Sequence, residues 1–218
     1  WWWGGAGRWG AARGCGGCAV HAESQVGWGR RRGGEGLRRD ARVGTGNYNG
    51  RSGLQGTDVS LFSARADLTS DIADLFNELT GSARPPQGLS HGALVAPHQL
   101  LPAVLALIAR EAAHARAGRQ AAITVKVNGL ADPDVVEALY DASNAGVRIE
   151  LIVRGICTLR PGVPGQSEHI RVVSVVGRFL EHSRISRFAN DGTPHMPIGS
   201  SDLRTRTPRR RAELRVPV

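Results

Sequence analysis

The fold is decided by Ala121-Ala-Ile-Thr-Val-Lys-Val127, followed by Asp132-Pro-Asp-Val-Val-Glu-Ala-Leu-Tyr140 and Val147-Arg-Ile-Glu-Leu-Ile-Val153. The first and third segments are short, apolar and rich in β-branched residues, which is typical of buried strands. Between them, Asp132 is suited to cap a helix and Pro133 is suited to its first turn. Strand, helix and strand in this order predict a βαβ unit with a parallel sheet, so we expect an α/β fold.

Further elements flank this unit. Apolar residues recur at helical spacing over residues 71–79 and over residues 98–117, which predicts two amphipathic helices. Residues 171–176 and 185–188 have the apolar character of strands. Open α/β sheets usually carry their functional residues beyond the carboxyl ends of the strands. Arg154 comes directly after a predicted strand and is therefore a candidate binding residue.

The chain has 218 residues and a formal net charge of +9, which lies at its two ends. Residues 1–42 hold eight Arg and three acidic residues, and residues 204–218 hold six Arg and one acidic residue. Basic ends can bind a polyanion through its phosphates, but no motif that reads bases is present, so no specific nucleic-acid partner is expected. No apolar run reaches about 18 residues, which argues against a transmembrane segment. The start also lacks the order of a signal peptide, so we expect a cytoplasmic protein.

The amino-terminal region has an unusual composition. Residues 1–42 hold all five Trp of the chain and many Gly, without a visible helical or strand period. Such a stretch buries too little surface to offset its backbone entropy, so we predict a disordered segment, or one translated from a shifted reading frame. Cys15 and Cys18 form one CxxC without a second pair, which argues against a structural zinc site. Cys157 is predicted to be a small buried side chain.

Four segments, in consistent order, resemble the bacterial polyphosphate kinases. They are Val-Gly-Thr-Gly-Asn-Tyr-Asn (43–49), Lys-Val-Asn-Gly-Leu-Ala-Asp-Pro (126–133), Leu-Ile-Val-Arg-Gly-Ile-Cys-Thr-Leu-Arg-Pro-Gly-Val-Pro-Gly (151–165) and Val-Gly-Arg-Phe-Leu-Glu-His-Ser-Arg (176–184). The resemblance covers about residues 43–218 and implies a phospholipase-D-like sandwich of mixed sheet and helices. It implies that residues 43–90 end a first catalytic domain of this kind and that residues 91–218 form a second, truncated one.

The resemblance also implies an activity. The family transfers the γ-phosphate of ATP reversibly to inorganic polyphosphate through a phosphohistidine, because one histidine nitrogen can act as nucleophile and a second histidine can protonate a leaving oxygen. His182 then corresponds to a catalytic and ATP-binding histidine, and Arg154 to an ATP-binding arginine. His21 is the candidate phosphohistidine. Mg²⁺ is implied at sites outside this chain, together with a homo-oligomer that is cytoplasmic or peripheral to the inner membrane.

The chain departs from the family pattern at several positions. Glu23 replaces a lysine beside the candidate nucleophile, and Gly56 replaces a tyrosine that packs against adenine. Arg204 stands where the family has methionine, at the start of a short altered stretch. We therefore expect little activity from this chain alone, and a nonenzymatic remnant or a polyanion-binding module is the alternative. A phospholipase-D-like hydrolase would need His-x-Lys motifs. The chain has one lysine, Lys126, and the residue two positions before it is Thr124 instead of histidine.

Overall fold

The computed structural model describes residues 7–11, 21–22, 25–33, 36–46, 52–79, 92–97, 99–207 and 211–218. The helices are α1 (Ala66–Leu79), α2 (Leu100–Arg116) and α3 (Pro133–Asn144), with short 3-10 turns at Ser52–Leu54 and Asn190–Gly192. The strands are β1 (Gly7–Ala11), β2 (His21–Ala22), β3 (Gln25–Gly33), β4 (Gly36–Gly44), β5 (Ser60–Ser63), β6 (Leu94–Val95), β7 (Ala122–Val127), β8 (Arg148–Val153), β9 (Ile170–Val173), β10 (Ile185–Phe188), β11 (Pro197–Gly199), β12 (Arg211–Ala212) and β13 (Leu214–Pro217).

The largest sheet has seven strands in the order β6-β13-β11-β10-β7-β8-β9. Strands β7, β8 and β9 are parallel to one another, whereas β10, β11, β13 and β6 add antiparallel pairs. The predicted α/β class with a mixed sheet is therefore confirmed. Its parallel half comes from the βαβ unit, because β7 and β8 need the α3 crossover to run in the same direction.

The main core lies between this sheet and the helices α2 and α3. Alternate residues of β7 and β8 are buried in it, namely Ile123, Val125, Val127, Ile149, Leu151 and Val153. Asp132 caps α3 as predicted, since its Oδ1 accepts a hydrogen bond from Val135 N at 3.4 Å. Cys157 packs against the same core as expected, but it is half-buried rather than buried.

A β-hairpin occupies much of the region that was predicted to be disordered. Strands β3 and β4 pair antiparallel, with Val26 opposite Val43 and Trp28 opposite Ala41. Val26, Ala41 and Val43 are buried against α1 in a second core. The prediction of disorder therefore does not hold for residues 25–33 and 36–42. The prediction failed because apolar residues do alternate there with period two, as in a strand, but the many Gly and Arg between them made this period hard to recognise. Residues 1–6, 12–20, 23–24 and 34–35 lie outside the described part.

The second core joins this hairpin and α1 to the far end of the large sheet through Ile198, Leu214 and Val216. Beside it, residues 55–57 run along residues 180–183. Thr57 N donates to Leu180 O at 2.9 Å, Leu180 N donates to Gln55 O at 2.7 Å, and Ser183 N donates to Thr57 O at 3.1 Å. These bonds hold the segment before β10 against residues that are more than 100 positions earlier, which brings distant polar side chains together. No helix in the described ranges has the length and hydropathy to cross a membrane.

Candidate functional site

Five polar residues meet at one edge of the large sheet because of the directions of its strands. Asn128 and Arg154 follow the carboxyl ends of the parallel strands β7 and β8. Strand β10 runs antiparallel to β7 and so begins at the same edge, preceded by His182 and Arg184. Strand β11 runs antiparallel to β10 and ends at this edge, before Asp202. The topology alone therefore gathers side chains from four separate parts of the chain.

His182 is held by a carboxylate from the first part of the chain. Its Nδ1 lies 3.2 Å from Asp58 Oδ1, and its side chain is only 14% exposed. Asp58 is held in turn by Thr45, whose Oγ1 donates to Oδ1 at 2.8 Å. At residue 46 only glycine fits, because a β-carbon there would overlap the Asp58 carboxylate. The carboxylate favours the tautomer with a proton on Nδ1, which leaves a lone pair on Nε2.

The electrostatic surroundings keep His182 neutral near pH 7. Burial, followed by the positive charge of Arg184, lowers the pKa of His182, and Arg154 acts in the same direction. Asp58 opposes this shift through its charge and hydrogen bond. Arg184 Nη1 lies 3.2 Å from His182 Nε2. A neutral imidazole with a lone pair on Nε2 can accept a proton or bond to phosphorus, and a bound anion would raise its pKa again.

Arg184 and Asp202 form an ion pair that is largely withdrawn from solvent. Arg184 Nη2 donates to Asp202 Oδ2 at 3.2 Å, and both side chains are 11% exposed. Asp202 Oδ1 accepts from Asn128 N at 2.7 Å and from Gly129 N at 3.2 Å. With its amide oxygen turned to Arg184, Asn128 accepts from Nη2 at 2.6 Å. The pair therefore connects the end of β7 to the segment before β10.

A second cluster fixes the loop that carries His182. Lys126 Nζ lies 2.5 Å from Glu181 Oε2 and 2.6 Å from Ser183 Oγ. Thr57 Oγ1 also donates to Glu181, at 3.0 Å. These hydrogen bonds, that of Lys126 first, lower the pKa of Glu181. The two residues that flank His182 are thus tied to a strand and to the Asp58 segment.

Arg215 holds the backbone beside the site in place. It is fully buried, donating from Nη1 to Ser186 Oγ and from Nη2 to Ser201 O, both at 2.8 Å. Burial lowers the pKa of Arg215 to about 10, which still leaves it charged at neutral pH. Because Ser201 precedes Asp202, these bonds hold the backbone from which Asp202 projects.

Of the three predicted site residues, the structure brings two close together. Arg154 is half-buried, and its charge acts on His182. Its Nη1 is buried, and no described residue accepts a hydrogen bond from it. The backbone of His21 pairs with Arg211 in the short parallel β2–β12 ladder, but the His21 side chain lies outside the described residues. Gly56 makes a backbone bridge to Leu180.

Sequence reasoning did not identify Asp58, Lys126 or Asp202 as members of this site. Asp58 lies two residues after Gly56, and Asp202 lies two residues before Arg204, both of which were noted as departures from the family. Their contacts depend on neighbours far away along the chain, and His182 and Asp58 are 124 residues apart. Within the described ranges, no group of three or more His, Cys, Asp or Glu side chains is placed to hold a metal ion.

Two protein-family models match most of this chain. The model of the polyphosphate kinase C-terminal domain 2 matches residues 93–218, and that of C-terminal domain 1 matches residues 12–85. The polyphosphate kinase of Thermosynechococcus vestitus is 52% identical over 161 residues, 74% of this chain and 22% of the relative. That of Neisseria meningitidis serogroup B is 49% identical over 162 residues, 74% of this chain and 23% of the relative.

A solved structure extends the likeness to the fold. The crystal structure of polyphosphate kinase from Porphyromonas gingivalis has a TM-score of 0.84 and 36% identity, covering 92% of this chain and 31% of that one. The chain spans 22% of the length of the first curated relatives it matches. On the family models, the sequence identities and the shared fold, this chain belongs to the polyphosphate kinase family.

Proposed function

We propose that this chain carries the C-terminal catalytic part of an ATP-polyphosphate phosphotransferase. The reaction moves the γ-phosphate of ATP reversibly to inorganic polyphosphate through a phosphohistidine. The observation that carries this proposal is the meeting of His182, Arg154 and Arg184 at one sheet edge in a member of this family. A neutral imidazole in contact with one arginine and within the electrostatic influence of a second suits a ligand rich in phosphate.

Phosphoryl transfer depends mainly on positioning and on neutralising charge. In the proposed mechanism, Arg154 and Arg184 offset the negative charge of the phosphates. His182 accepts or donates a proton at Nε2, while the Asp58 carboxylate accepts a hydrogen bond from its Nδ1–H. His21 is the proposed nucleophile: its ring nitrogen bonds to the γ-phosphorus as the bond from phosphorus to the ADP oxygen breaks. ADP leaves, and polyphosphate then takes the phosphoryl group from the histidine.

Several further features are proposed on the family alone. Residues 43–90 would end a first phospholipase-D-like catalytic domain, and residues 91–218 would form a second. Mg²⁺ would be held outside this chain, so no step here is assigned to it. The complete protein would be a homo-oligomer, cytoplasmic or peripheral to the inner membrane. This chain by itself would have little activity.

A nonenzymatic module that binds condensed phosphates is the second candidate. It is favoured by Gly56, which pairs through its backbone with Leu180 and has no ring to stack on adenine. The two candidates share the phosphate site and differ in turnover. Formation of ATP from ADP and polyphosphate therefore separates them.

The site is tested by replacing Arg154 with alanine. Loss of a charge-assisted hydrogen bond should weaken the binding of ATP or polyphosphate by about 1–3 kcal/mol, measured by calorimetric titration. Arg148→Ala is the matched control, because Arg148 is exposed at the opposite end of the same strand. Equal affinities of the two folded variants would reject Arg154 as a phosphate ligand.

Phosphate binding should also take up protons. In the free protein, burial and Arg184 lower the pKa of His182, so the ring is neutral at pH 7. A phosphate beside it raises that pKa, and the affinity should increase as the pH falls from about 7.5 to about 6. Proton uptake is measured by calorimetry in buffers of different ionisation enthalpy.

His182→Gln is the control for this experiment, because phosphate itself titrates near the same pH. The variant should lose the share of proton uptake that belongs to the imidazole, while the share from the ligand remains. Identical uptake in the two proteins would mean that no phosphate binds beside His182.

A further inference from the structure

We propose that Arg204 is a further phosphate-binding residue, which acts with Arg154 on the same phosphate group of a condensed phosphate. This proposal rests on the proposed function and adds to it a ligand contact that the family pattern, with methionine at this position, does not contain.

The backbone of Arg204 is fixed at the functional edge of the sheet. Leu203, directly before it, accepts hydrogen bonds from Ala131 N at 2.9 Å and Asp132 N at 3.0 Å. Leu203 N donates to Gly129 O at 3.1 Å, and Thr207 N donates to Arg204 O at 3.0 Å. Arg204 therefore starts a turn that is bonded to the segment between β7 and α3.

Gly129 makes room for the Arg204 side chain, and Gly155 lies next to it. A β-carbon on Gly129 would overlap the Arg204 side chain, whereas a β-carbon on Gly155 would lie in ordinary contact, 3.6 Å from Arg204 Nη2. Gly129 comes just after β7, and Gly155 just after Arg154. The guanidinium group therefore lies across the ends of the two parallel strands, next to the backbone of Arg154.

The two arginines have donors that nothing in the described part of the chain accepts. Arg204 Nε and Arg154 Nη1 are buried without a partner. By contrast, Arg184 is paired with Asp202 at 3.2 Å. Asp202 also accepts from two backbone amides, and Asp58 is bonded to His182 and Thr45.

Unpartnered buried donors are costly, and two positively charged guanidinium groups that share a site repel each other when no anion lies between them. An anion between them would accept these donors and remove the repulsion. A phosphate group suits this role, since its oxygens match the fork of donors on arginine and it carries enough charge for two of them. A terminal phosphate of ATP and a unit of polyphosphate share this chemistry.

The proposal is tested with Arg204→Met, which introduces the family residue, and with Arg206→Met as matched control. Arg206 lies in the same turn but is exposed, so both variants lose one positive charge. Inorganic tripolyphosphate and ATP are titrated separately into the 218-residue chain by calorimetry. Arg204→Met should weaken binding at least about tenfold, and Arg206→Met less than about twofold, because only the first removes a direct charge-assisted bond.

The ligand that responds identifies the subsite. If only the affinity for tripolyphosphate falls, Arg204 contacts the polyphosphate chain. If only the affinity for ATP falls, it contacts the nucleotide, and if both affinities fall, the two ligands share this position. Arg204→Lys keeps the charge without the fork and should recover only part of the affinity. It also provides a second folded variant if Arg204→Met is unstable.

Equal affinities of the Arg204→Met and Arg206→Met variants would overturn the proposal. If the original chain binds these ligands and Arg154→Ala weakens their binding, equal affinities of the Arg204 and Arg206 variants leave the proposed function intact. If the original chain binds neither tripolyphosphate nor ATP, the proposed function fails together with the inference. The two failures are therefore distinguishable.

Discussion

Replacing Asp202 with alanine should lower the free energy of unfolding by about 3–5 kcal/mol, the range for breaking one partner out of a buried ion pair. Asp202 pairs with Arg184 at 3.2 Å, with both side chains 11% exposed. The variant leaves Arg184 charged in a site that excludes most solvent. It also leaves the amides of Asn128 and Gly129 without the carboxylate that accepts from them.

Urea denaturation followed by circular dichroism measures this loss, because the midpoint and slope give the free energy of unfolding. Asp141→Ala, at an exposed position of α3, is the matched control and should change the stability by less than about 0.5 kcal/mol. Asp202→Asn should lie between the two, since it keeps one acceptor and loses the charge. A loss in Asp202→Ala as small as that of the control would show that the ion pair does not hold this edge together.

Replacing His182 with alanine should lower the rate of phosphate transfer by about 10²–10⁴-fold, the usual contribution of a positioned acid or base. His182 is held by Asp58 at 3.2 Å and lies beside Arg184, so both its tautomer and its orientation are set before a ligand binds. Alanine removes the imidazole but leaves Arg154 and Arg184, so ligands should still bind. The loss is therefore expected in turnover much more than in affinity.

The assay is polyphosphate-dependent formation of ATP from ADP. It is run with this chain and with a full-length relative that carries the same change at the matching histidine, because the relative supplies a measurable rate. His169→Ala is the control, since His169 is exposed and near the opposite end of β8. A fall of less than about tenfold in the relative would exclude His182 as the positioned acid or base.

Local sequence patterns were sufficient to predict those helices and strands whose apolar spacing and capping residues lie within the element itself. The predicted helix over residues 98–117 corresponds to α2 at Leu100–Arg116, and the predicted βαβ unit corresponds to β7, α3 and β8. The cap by Asp132 was also correct, since it involves residues only three positions apart. These signals survive in the sequence because apolar spacing and capping act over one or two turns.

The sequence pattern was insufficient to predict strands whose formation depends on the elements packed beside them. Strands β3 and β4 are rich in Gly and Arg, and their buried residues form a core only with α1. Predicted strand character over residues 171–176 extends past β9, which ends at Val173. In each case, the outcome depends on which partner strand or helix lies alongside, which periodicity does not specify.

The sequence by itself determined the α/β class and the family, and it pointed to two residues of the candidate site, Arg154 and His182, because local spacing and contiguous motifs carry this information. Only the tertiary structure decided that Asp58 holds His182, that Asp202 pairs with Arg184 and that Arg204 lies over two glycines beside Arg154. The physical reason is strand direction: parallel β7 and β8 and antiparallel β10 and β11 bring residues far apart along the chain to one edge, where charges and hydrogen bonds act over a few ångströms.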